Sequence, residues 1–291
     1  MKIVITILLV FLIFLKVDVN KVVGSLLNIE LRYLVTAFVL AMMVVALRIY
    51  RWYYLIKKDT NVSFRTAFVS YLAGLTTAII TPLRIGELTR VLYIKNQSKV
   101  KLVKFVLIDK FFDLFVIFIL FVLGLSYIDL RFLLLAMVLS VVLVLFFRNI
   151  RKMNFPFKAK VLELVDGFRL VNRKTVFNCL LLTLASFIIY IMQFYVLVLS
   201  FEDVSFIAVF FVVPIIVLSN ILPITIGGIG VREWVSIFVF SFFGVSEIAA
   251  LSSAFLAFVL TLLIPSILGL FFVNRVKINN TRKLAVGEES G

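Results

Sequence analysis

Eight charged residues stand inside or against apolar stretches of this chain, and they fall into three groups. The first is Arg84, Glu87 and Arg90, with the glutamate three residues from each arginine. The second is Asp109, Lys110 and Asp113. The third is Arg232 and Glu233, directly after Gly227, Gly228 and Gly230. Arginine beside a glycine-rich break suits anion recognition, because a restarting helix offers free N–H groups, a positive dipole end and an open backbone. Two carboxylates four residues apart repel unless a cation separates them, and Lys110 or an arginine from another helix would do so. The same pair is also the only obvious material for intramembrane carboxylate catalysis. Each group admits a plainer reading as a structural ion pair or an interfacial position.

These residues sit in a chain of 291 residues that is 64% hydrophobic, with a mean hydropathy of +1.20. Apolar runs at about 3–15, 32–56, 64–81, 104–127, 131–147, 175–200, 205–222, 234–243 and 247–273 include several long enough to cross ~30 Å of hydrocarbon, which takes about 20 helical residues. The runs are continuous rather than alternating, so the fold class is an all-α integral membrane protein and not a barrel. One transmembrane domain covers 1–291. A cytoplasmic amphipathic segment is expected within 149–174, and a disordered tail from about 282 to 291. The absence of histidine and the single Cys179 remove disulfides and nearly all zinc or haem chemistry, so no cofactor or metal is expected and the chain reads as a non-enzyme. The net charge of +15 reflects basic loops facing anionic lipid rather than nucleic acid.

Residues 48–65, 84–104, 148–174 and 275–283 hold 23 of the 30 Lys and Arg residues and belong in the cytoplasm by the positive-inside rule. Arg48, Arg51 and Trp52 are expected as interface anchors. If 48–65 and 84–104 are both inside, the run between them must enter and return, turning near Pro82 and Gly86. Counting back from a cytoplasmic tail, 205–222 and 234–243 form a second dip from the other side, turning near Pro223. The expected architecture is a polytopic bundle of about six full crossings plus two broken, re-entrant hairpins, in the plasma membrane with both termini cytoplasmic. Pro82 with Ile85–Gly86 and Pro223 with Ile226–Gly227 share their offsets. That pairing is either an inverted repeat, the usual setting of a transporter site, or a chance recurrence of a short pattern.

Four stretches carry a resemblance over nearly the whole chain: RIYRWYYLI (Arg48–Ile56), TPLRIGELTR (Thr81–Arg90), IDKFFDLF (Ile108–Phe115) and LPITIGGIGVREW (Leu222–Trp234). In this order they resemble the lysylphosphatidylglycerol synthase transmembrane-region family, which includes the flippase domain of the multiple peptide resistance factor. The third departs from the family pattern, with Asp109–Lys110 where Glu-Arg is usual. The resemblance implies a polytopic bacterial or archaeal membrane protein whose larger relatives translocate aminoacylated phospholipid, and so a flippase-like role in moving an anionic or zwitterionic lipid headgroup, aminoacylated or glycosylated, across the membrane. The paired breakers and their charges give the expected substrate-binding residues as Arg84, Gly86, Glu87, Arg90, Asp113, Gly227, Gly228, Gly230, Arg232 and Glu233, with Pro82 and Pro223 as helix breakers. Larger relatives carry a soluble aminoacyl-transferase domain. None follows the helices here up to Gly291, so lysylphosphatidylglycerol synthesis is not expected. The expected partners are membrane lipids: an anionic or aminoacylated phospholipid, or a polyprenyl-linked glycolipid. The alternative is a non-transporting scaffold that holds an envelope lipid or glycan enzyme through the basic loop at 148–174.

Overall fold

A computed structural model describes residues 15–128, 171–220 and 230–272, with residues 6, 11–13, 134, 225 and 228. The run at 131–147, the amphipathic segment up to residue 170, the tail, Pro223 and Gly227 lie outside the described residues, as does most of the run at 3–15. The described residues are mostly helical and contain no strand. The chain is an all-α membrane protein, and among the described residues three helices are long and apolar enough to cross a bilayer.

A short helix α1 (Val19–Leu27), capped by Asp18, precedes the first long helix and buries none of its residues. No apolar run announces it, because four of its nine residues are not hydrophobic. Then follow α2 (Leu31–Thr60), α3 (Phe64–Ile80), a 3₁₀ segment (Pro82–Tyr93) and α4 (Lys99–Ile128). The second half repeats this order with α5 (Arg173–Leu199), α6 (Phe206–Ser219), α7 (Val231–Ser241) and α8 (Glu247–Phe272). Several starts carry the expected side-chain caps: Ser63, Asn172, Ser205 and Ser246 each accept a hydrogen bond from an N–H of the first turn.

In each half a long helix is followed by a broken hairpin and then by a second long helix. The two leading helices, α2 and α5, pack along each other in opposite directions. Arg48 lies over the Phe187 ring, Arg51 donates to Thr183, and Asn178 donates to Tyr54. The closing helix of each half leans on the hairpin of the other at a glycine. Gly124 of α4 sits against Phe211 of α6, and Gly269 of α8 sits against Leu72 and Thr76 of α3. At the second contact Thr76 also donates to the Ser266 carbonyl (2.7 Å). The two halves thus share an element order, an antiparallel leading pair and reciprocal contacts.

The hairpin arms are short. At ~1.5 Å per residue, α6 is about 21 Å long and α7 about 16 Å, less than a hydrocarbon core. The first hairpin breaks at Thr81–Pro82. Thr77 donates to the Gly86 carbonyl (2.6 Å), and Gly86 N–H donates back to the Thr81 hydroxyl (2.7 Å). A Cβ on Gly86 would overlap the Thr77 backbone, so this close approach requires glycine. In α8 the turn Val259–Leu263 widens to a π-helix, with Ile264 N–H bonded to the Val259 carbonyl. Pro265 follows immediately. Its ring would clash with the Thr261 carbonyl and it has no N–H to give, and the wide turn relieves both faults.

Candidate functional site

The 3₁₀ segment stacks residues three apart on one line, so Arg84, Glu87 and Arg90 point the same way. Arg90 pairs with Glu87, and Arg84 Nε lies 3.3 Å from Glu87 Oε1. That second contact is close in charge but not aligned as a hydrogen bond, and both atoms remain without a hydrogen-bond partner. Arg90 is fully buried. It reaches α4 to bond Asp109 at 2.9 Å, with its guanidinium over the rings of Tyr71 (4.2 Å) and Trp52 (5.5 Å).

Asp109 and Asp113 are held one turn apart on α4 by an arginine from another helix. Arg51 Nε donates to Asp109 (2.8 Å), and its Nη1 donates to Asp113 (2.7 Å) and to Thr183 of α5 (2.6 Å). The cation that the carboxylate spacing demands is therefore Arg51. Lys110 adds contacts to Glu87 (2.5 Å) and Asp113 (3.5 Å). A lone charge at bilayer depth costs ~3 kcal/mol or more, and this network is how three helical elements tolerate seven of them. Arg51 and Trp52 are thus not interface anchors. Both are buried, with Trp52 Nε1 donating to Ser70.

The second hairpin contributes Arg232 and Glu233, which pair with each other at the start of α7. Gly228 and Gly230 have φ of 77° and 88°, which favour glycine. A Cβ on Gly228 would also overlap the Asn220 side chain. The restarting helix does not leave a vacant anion site at its N-terminus. Glu233 already accepts from Gly230 N–H (2.8 Å), placing a carboxylate at the positive dipole end. The Arg232 side chain, rather than the helix end, is what this hairpin presents to the cavity.

Between the two hairpins lies a cavity of about 290 Å³. Its charged wall is Arg48 of α2, Arg84 and Glu87 of the 3₁₀ segment, Lys110 and Asp113 of α4, and Arg232 of α7. Tyr71, Tyr190, Asn220 and Thr261 add polar groups, and residues such as Leu75, Ile117, Val217 and Phe258 make up the apolar remainder. The structure therefore brings Arg84, Glu87, Asp113 and Arg232 onto one cavity, from both hairpins. Arg90 and Glu233 stand behind its wall, Gly86, Gly228 and Gly230 shape the backbone around it, and Pro82 opens the 3₁₀ segment. The side chains of Arg84 and Lys110 are each 35% exposed, which places the mouth beside them. Sequence reasoning left Arg48, Arg51, Asp109, Lys110 and Asn220 out of the binding set. Asp109 and Lys110 were visible as intramembrane charges. Arg48 and Arg51 read as interface anchors although they open the RIYRWYYLI stretch, whose resemblance to the family was the one signal that marked them.

The family profile described as "Lysylphosphatidylglycerol synthase TM region" matches residues 1–269. The chain belongs to this family. It is also similar to a UPF0104 membrane protein of Methanocaldococcus jannaschii, 26% identical over 307 aligned residues that cover 91% of each chain. The match carries the resemblance read from the four motifs across both halves of the fold.

Proposed function

We propose that this protein is a flippase-like lipid translocase whose inter-hairpin cavity receives an anionic headgroup. The observation that carries the reading is the cavity itself. Six charged side chains from four elements line a space of about 290 Å³ within an apolar helical bundle. Among them, Arg48, Arg84 and Arg232 each present a buried Nε without a hydrogen-bond partner. Unmet donors at this depth are costly unless a ligand meets them. The apolar part of the wall suits the first carbons of a lipid tail.

In this reading the two hairpins dip from opposite faces of the plasma membrane, with the basic loops and both termini on the cytoplasmic side. Rocking of one hairpin, together with the closing helix that braces it from the other half, against the second such pair alternates access to the cavity. Headgroup movement by the purified protein in liposomes tests the proposal. Arg232→Gln and Arg84→Gln should each slow transfer about tenfold or more, as expected for loss of a charged contact in a desolvated site, with the helical content unchanged. Wild-type rates in both variants would refute transport through this cavity. No transfer by the intact protein, together with co-purification of an envelope enzyme, would favour the scaffold.

A further inference from the structure

Among the described residues, the charge around the cavity does not balance: six cations (Arg48, Arg51, Arg84, Arg90, Lys110 and Arg232) face four carboxylates (Glu87, Asp109, Asp113 and Glu233). Every carboxylate is already engaged: Glu87 by three cations, Asp109 and Asp113 by two each, Glu233 by Arg232 and by Gly230 N–H. Arg48 makes no ion pair among the described residues and lies over the face of Phe187 at 5.4 Å. The surplus of two positive charges is thus concentrated on the cavity wall.

The same accounting speaks against an ammonium-bearing cargo. An aminoacyl headgroup needs an open carboxylate, and the two carboxylates on the wall, Glu87 and Asp113, are bridged by the Lys110 ammonium. That internal amine stands where a ligand's amine would bind.

We infer, resting on the headgroup reading above, that the cavity selects a phosphate group carrying two negative charges and no accompanying ammonium. A phosphomonoester, with a charge of about −1.5 to −2 at neutral pH, or a diphosphate cancels the surplus. A phosphodiester leaves one positive charge uncancelled, and a lysyl ester adds to it. Arg48 from α2, Arg84 from the 3₁₀ segment and Arg232 from α7 grip the phosphate from three sides through the Nε atoms that lack partners.

The test measures binding of four probes to the purified full chain in detergent: short-chain phosphatidic acid, phosphatidylglycerol, lysylphosphatidylglycerol and inorganic phosphate. Arg48→Gln is compared alongside, since Arg48 makes no ion pair among the described residues. Phosphatidic acid should bind about tenfold or more tighter than phosphatidylglycerol, with the lysyl lipid weakest, and Arg48→Gln should collapse the first gap. Phosphatidylglycerol binding as tightly as phosphatidic acid, or the lysyl lipid binding tightest, overturns the selectivity while leaving the headgroup reading intact. Inorganic phosphate binding as well as phosphatidic acid upholds the dianion preference and overturns the lipid reading. Failure of all four to bind overturns both.

Discussion

Replacing Arg51 with methionine should destabilise the protein by about 4 kcal/mol. The side chain makes two charge-assisted hydrogen bonds to carboxylates, at 2.8 and 2.7 Å, and a third bond to Thr183, in a site where its exposure is 1%. Charge-assisted bonds contribute ~1.5–3 kcal/mol each, giving about 3–6 for the pair. Removing one partner of a buried ion pair costs ~3–5 kcal/mol. Methionine keeps most of the stem, so little cavity is added. The loss is held toward the middle of that range because Asp109 keeps Arg90 (2.9 Å) and Asp113 keeps Lys110 (3.5 Å). Reversible unfolding by SDS in mixed micelles, followed through Trp52 and Trp234 fluorescence, reads the change. The double variant Arg51→Met/Asp113→Asn should recover about 1–2 kcal/mol, since the carboxylate left short of a partner is then neutral. A loss below about 1 kcal/mol, or a double variant no better than the sum of the two single changes, would refute the claim that Arg51 is what permits two aspartates one turn apart.

Two further outcomes follow from the packing. Gly269→Ala should be much more disruptive than Gly124→Ala, because the new methyl at 269 meets the Leu72 backbone whereas at 124 it meets the movable Phe211 ring at 3.1 Å. Thermal unfolding of the two variants in detergent gives the order, and equal midpoints would argue against the tight α3–α8 contact. Thr261→Val removes the donor to Gln193 Oε1 (2.9 Å), leaving a buried amide whose Nε2 is already unpaired, and should lower stability by about 1–2 kcal/mol in the same assay.

Much of the fold was written in the chain as apolar length and its interruptions. The runs at 32–56, 64–81, 175–200 and 247–273 became α2, α3, α5 and α8 with ends shifted by a few residues. Pro82 marked the first break, because proline can only begin the next segment. Helix α1 was missed because a short polar helix leaves no hydropathy signal. Of the site, Arg84, Glu87, Asp113 and Arg232 were legible as charges with no business in lipid. Arg48 and Arg51 were not, since the positive-inside rule already explains arginines at a helix end. The packing of α2 on α5, a contact between residues more than a hundred positions apart, turns both inward, and the α4 aspartates complete the site of Arg51.

The paired glycine contacts say something about how the chain is partitioned. Gly124 and Gly269 each belong to the half of the chain opposite the hairpin they brace. The halves are therefore clasped hands rather than two stacked blocks. The first hairpin, released from α8, would lose the Thr76–Ser266 bond and the edge contact between Phe68 and Phe272. The second, released from α4, would lose the Gly124–Phe211 contact. Each hairpin therefore takes its brace from a helix that belongs to the other half of the chain.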